Sequence, residues 1–131
     1  MIFEETVVLS APFDEVLDRV KQAFAAEGFG TLTEIDVQPT LRETVGKDMD
    51  PYVIVGACNP GLAARAIDAE PQIGVLLPCN VVVRAVDDGV VVEAMDPGLM
   101  ASMTENDAIT PIAAEARELV NNALARLTTS D

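Results

Sequence analysis

Two short segments hold most of the chemistry this chain has to offer: Cys58-Asn59-Pro60 and Pro78-Cys79-Asn80. They contain both cysteines, each followed directly by asparagine and lying beside proline. The first closes an apolar, strand-like run and the second opens one, where folds commonly present groups to a ligand. A thiol just before a helix gains from the free N–H groups of the helix terminus, which favour negative charge and lower its pKa from about 8.5. Cys58 takes that position if Asn59 caps a helix with Pro60 as its first residue. Cys79 precedes a strand, so the two thiols meet only if their strands are neighbours.

Several uses of these turns stay open. The leading expectation is noncatalytic binding of a small organic ligand or anion, bordered by Cys58, Asn59, Cys79 and Asn80, with Glu70 and Asp96 as further candidates. Asparagine amides and a helix terminus supply directional polar contacts, and neighbouring Val and Leu residues supply an apolar wall. A nucleophilic Cys58 would need a base. The chain has no histidine, which leaves Glu70 or Asp96 to orient water or accept a proton. A dithiol couple is weakly suggested, since 21 positions separate the cysteines. Two thiolates could bind copper(I) with help from Met95, Met100 or Met103, because soft sulfur donors favour that ion. The plainer alternative makes both thiols small buried hydrophobes and both asparagines turn residues.

Composition narrows the partners. The 131 residues are 50% apolar, enough for one core and a single domain over residues 1–131. Acidic side chains number 22 against 8 basic ones, a net charge of −14. The basic residues are dispersed, so a cationic track for nucleic acid is not expected. Such acidity fits a salt-rich cytoplasm, where screening reduces self-repulsion, or an ordinary acidic protein. Two cysteines in a chain with its own core do not resemble a secreted disulfide scaffold. The start, Met1-Ile2-Phe3-Glu4-Glu5, shows no basic segment leading into an apolar stretch. No apolar run approaches a membrane span. A cytoplasmic location without membrane or nucleic-acid contact is expected. The high apolar fraction also raises a second class of function, a homodimeric structural or interaction domain.

The elements that must position the turns follow from periodicity. Residues 2–9 read as a strand. Ser10 as cap and Pro12 in the first turn introduce a helix with Phe13, Val16, Leu17, Val20 and Phe24 on one face. Gly28-Phe29-Gly30 reads as a helix-to-strand turn and lacks the spacing of a dinucleotide fingerprint. Thr31–Val37 suggests a strand closed by Pro39, and Leu41–Val45 another short strand. Tyr52–Ala57 is a buried strand running into Cys58. The helix from Pro60 turns Leu62, Ala63, Ala66 and Ile67 toward the sheet and stops at Glu70-Pro71. The apolar run Ile73–Leu77 leads to the second cysteine. Val81–Val83 and Val90–Val92 flank Asp87-Asp88-Gly89, a strong hairpin signal. Asp96-Pro97 starts a short helix, Thr104–Asp107 forms a polar turn, and Thr110-Pro111 opens an amphipathic terminal helix. These elements predict an α+β fold: a compact mixed β-sheet packed by helices, with an antiparallel hairpin.

The ordered combination Gly56-Ala57-Cys58-Asn59-Pro60, Glu70-Pro71 and Leu76-Leu77-Pro78-Cys79-Asn80-Val81 resembles the domain of unknown function 302 family. Glu27-Gly28-Phe29-Gly30, Glu34-Ile35-Asp36-Val37 and Asp96-Pro97 extend the likeness over nearly the whole chain. The resemblance implies a compact α+β domain, often found alone, with a dimer as an expectation and no catalytic reaction attached.

Overall fold

The computed structural model describes residues 3–129. The expected strand start at Ile2 lies outside them. In chain order the elements are β1 (Phe3–Leu9), α1 (Phe13–Ala26), β2 (Gly30–Asp36), α2 (Val37–Val45), β3 (Tyr52–Cys58), α3 (Pro60–Ala69), a 3₁₀ turn (Pro71–Leu76), β4 (Cys79–Val86), β5 (Gly89–Met95), α4 (Gly98–Thr104) and α5 (Thr110–Thr129). The fold is α+β, as the sequence predicts.

The strands form one sheet in the order β1-β5-β4-β3-β2. Every neighbouring pair is antiparallel, which corrects the expected mixed sheet. The reason lies in where α1 delivers the chain. It carries the chain from β1 at one edge to β2 at the other, and the mutually parallel strands β1, β4 and β2 are never neighbours. The hairpin at Asp87-Asp88 forms as predicted, pairing Val86 with Gly89.

Alternation then assigns two faces. Val53, Val55 and Ala57 on β3, Val81 and Val83 on β4, and Val90, Val92 and Ala94 on β5 are all buried in one cluster. This face packs under α1 and α5, which contribute Val16, Val20, Phe24, Val120, Leu124 and Leu127. The α1 and α5 stripes match the 3.6-residue pattern read from the sequence. A smaller cluster joins Leu62 and Ala66 of α3, Ile73 of the 3₁₀ turn, Met100 of α4 and Ile112 of α5, and Leu119 touches both clusters.

Local departures have local causes. Residues 37–45 form a helix rather than a strand end followed by a strand. Pro39 sits in its first turn, where a backbone N–H would have no intrahelical partner, so the proline starts the element instead of closing β2. Gly46, at φ 68°, ends it with Schellman-type bonds to Arg42 and Leu41. No residue of α2 is buried, so it had no apolar stripe to reveal it. Pro12 is itself the N-cap of α1 and no side chain caps that helix, so Ser10 does not serve as expected. Ile67 is 46% exposed rather than turned to the sheet, because α3 buries the Leu62–Ala66 edge against its neighbours. The run before Cys79 is a 3₁₀ turn begun by Pro71, which buries Ile73 and leaves Val75 at 88% exposure.

Candidate functional site

Cys58 ends β3 and Cys79 opens β4. The two strands are adjacent, with Ala57 the register partner of Cys79. Both cysteines line one cavity of about 30 Å³, and their thiols lie near enough for a Cys58 charge to act on Cys79. Met100 reaches the same space from α4, and Phe29, Leu62 and Ile112 wall it. A space of this size holds a body about as large as a water molecule, far below the roughly 300 Å³ that small organic ligands need. Both cysteines are free; Cys79 is buried and Cys58 half-buried. Burial pushes the Cys79 thiol up to about 11, with a contribution from the nearby Cys58 charge.

Asn59 behaves as the helix cap predicted. Its Oδ1 accepts from the Leu62 N–H at 3.2 Å, with Pro60 following at the first helical position. Its amide nitrogen is not left for a ligand, because it donates toward the Glu27 carbonyl at 3.5 Å. Glu27 is in turn held by Arg126 at 2.7 Å and by Asn122 at 3.2 Å, so the end of α1, the cap of α3 and α5 are tied together. Gly28, at φ 87°, passes so close that a Cβ there would lie 3.0 Å from the Asn59 amide nitrogen.

Asn80 belongs elsewhere. One residue beyond Cys79, it points to the opposite face of the sheet, where no α1 or α5 residue covers it. That face carries a concavity of about 460 Å³ bounded by Tyr52, Ile54, Asn80, Val82, Glu93 and Met95. Leu99 and Met103 of α4 form its rim. Register explains the floor: Ile54 pairs with Val82, and Val82 with Glu93, so the three form a row across β3, β4 and β5. Arg84 donates from Nε to Glu93 at 2.8 Å, and this bond raises the guanidinium pKa further.

Glu70 and Asp96 join neither set. Glu70 caps the end of α3 and accepts from Asn106 at 3.4 Å, beside a separate surface depression with Gln72 and Val75. Asp96 accepts from the Gly98 N–H at 2.8 Å, starting α4, and lies 3.5 Å from Arg117 Nε. Neither carboxylate lines the cysteine cavity, so neither is placed to serve Cys58 as a base. Met95 and Met103 border the large concavity, and Met100 alone of the three methionines lines the thiol cavity. Among the described residues, no group of three or more His, Cys, Asp or Glu side chains is placed to hold a metal ion. No described helix is long and apolar enough to cross a membrane.

Sequence reasoning missed Tyr52 and Glu93 as site residues. The available signal was parity: given the register of β3 to β5, Tyr52, Asn80 and Glu93 fall on the face opposite the buried valines.

A single antiparallel sheet with helices over one face and a concave second face defines an α+β domain. The chain belongs to the family described as Domain of unknown function DUF302, whose model matches residues 5–127. It is similar to a solved structure, the crystal structure of uncharacterized conserved protein DUF302 from Bacillus stearothermophilus, at 29% sequence identity and a TM-score of 0.88. That likeness covers 97% of this chain and 99% of the other. No curated protein matches.

Proposed function

We propose that this protein is a noncatalytic binder of a small, largely apolar organic molecule, held in the concavity on the open face of the sheet. The observation that carries this reading is the concavity itself. Its volume of about 460 Å³ falls within the range of small-molecule sites, and it combines apolar walls with a few polar groups. Ile54, Val82, Met95 and Leu99 supply the apolar contact. Asn80, whose side-chain amide both donates and accepts, and the Tyr52 hydroxyl fix orientation. Glu93 in the lining and the net charge of −14 favour a neutral guest over an anion. The free thiols fit the reducing cytoplasm as its setting.

Native mass spectrometry of freshly isolated protein, with crystallography of the same sample, tests this reading. A reproducible mass adduct with density between Tyr52 and Asn80 is expected, and Val82→Lys should lose it while still melting cooperatively. An adduct retained by a folded Val82→Lys protein overturns it.

A second reading is favoured by one observation: Val8 is 58%, Ile35 49% and Met103 64% exposed on or beside this same face. We infer that a second copy of the chain covers them, making the protein a homodimer. Dispersed apolar residues are common on surfaces, but a set sharing one sheet face is the pattern of an interface.

A further inference from the structure

We propose that Cys58, Cys79 and Met100 form a binding site for a soft monovalent metal ion, of which copper(I) is the natural member. Three separate elements bring these residues to the lining of one cavity: the end of β3, the start of β4 and the short helix α4. Ala57 pairs with Cys79, which sets the two cysteines diagonally across adjacent strands. The cavity of about 30 Å³ suits a single ion and not an organic molecule. Its walls are otherwise nearly all hydrocarbon, with Phe29, Leu62 and Ile112 among them, and this environment restricts water and oxidants.

The donor set selects the ion. Magnesium and calcium need several oxygen ligands, and structural zinc needs four donors. No carboxylate lines this cavity and the chain has no histidine. Copper(I) is favoured by thiolate and thioether sulfur, and it is satisfied by fewer donors. Binding forms two copper–thiolate bonds, breaks two S–H bonds and releases two protons to solvent; copper stays at the +1 state. Met100 adds a neutral thioether. The complex carries one negative charge, and Cys58 lies immediately before the N-terminus of α3, whose N–H groups favour it. This site is independent of the open-face concavity, so either assignment stands if the other fails.

The test is anaerobic titration of the reduced full-length protein with copper(I) against a chromophoric copper(I) chelator. Silver(I) in native mass spectrometry serves as a redox-inert check. One ion per chain is expected, with X-ray absorption showing only sulfur neighbours. Cys58→Ser and Cys79→Ser should each abolish that stoichiometric binding. Met100→Leu conserves volume, should remain folded, and should weaken affinity about tenfold. If Cys79→Ser fails to fold, Cys58→Ala and Met100→Leu carry the test. Absence of binding, binding that survives loss of Cys58, or zinc competing on equal terms would overturn the proposal.

Discussion

Cys79 and Asn80 are neighbours in β4 and serve opposite faces of the sheet. Cys79 turns inward to the thiol cavity and Asn80 outward to the concavity above Ile54 and Val82. The paired Cys-Asn turns thus border two cavities on opposite faces of the sheet, one of about 30 Å³ and the other of about 460 Å³.

Close packing beneath those turns depends on Gly56. A Cβ there would collide with Thr33 Oγ1 and lie 2.8 Å from Pro78 Cγ. Gly56→Ala is therefore expected to lower stability by about 1–3 kcal/mol, the usual cost of overpacking. Thr33→Ala should recover part of it in the double variant, measured by urea unfolding. Equal stability of Gly56→Ala and the parent would contradict the packing described.

The Asn59 cap gives a graded prediction. Asn59→Ala removes the acceptor for the Leu62 N–H and should cost about 1 kcal/mol. Asn59→Asp keeps that acceptor but sets a carboxylate oxygen against the Glu27 carbonyl in place of the donor, so it should fall between the parent and Asn59→Ala. Denaturant midpoints of the two variants check the order.

Alkaline pH should destabilise the fold through Cys79. Its thiol is pushed up to about 11 in the fold, while in the unfolded chain it ionises near its ordinary value of 9.0. The unfolded state therefore releases its proton first as pH rises. The loss begins near pH 9, grows to about 2–3 kcal/mol by pH 11, and then levels off. Below pH 8 the contribution is flat. Cys79→Ala should remove this component from a stability–pH series. In the folded parent near pH 8, alkylation with peptide-level identification should find half-buried Cys58 modified before buried Cys79.

The homodimer reading is checked by sedimentation equilibrium from about 0.05 to 1 M salt. A dimer at micromolar concentration is expected, weaker at low salt where acidic rims repel over longer distances. Ile35→Lys should yield monomers. A parent that is monomeric throughout would remove the second copy, and a salt-insensitive dimer would remove only the acidic rims.

Much of this architecture was legible in the sequence because it rests on local periodicity. The α1 and α5 stripes, the Asp87-Asp88-Gly89 hairpin, the Gly28 turn and the Asn59-Pro60 helix start all follow from short-range rules. Helix α2 was not, since a helix that buries nothing leaves no stripe and its Pro39 reads as a stop. Ile73 and Val75 look equally apolar in the sequence, yet a 3₁₀ turn buries one and exposes the other. The site divided for a nonlocal reason. Convergence of Cys58 with Cys79 requires β3 beside β4, and the separation of Asn80 from Asn59 requires knowing which face α1 and α5 cover. Strand order and helix placement decide both, and neither is encoded within the Cys-Asn turns.

The central claim, that the open-face concavity binds a small organic molecule, is tested most directly by a fragment library screened against isotope-labelled protein by amide chemical-shift mapping. Shifts centred on Tyr52, Ile54, Asn80, Val82 and Met95, and abolished in Val82→Lys, are predicted. A library that leaves those amides unmoved, or whose hits centre on Cys58–Leu62, would contradict the account.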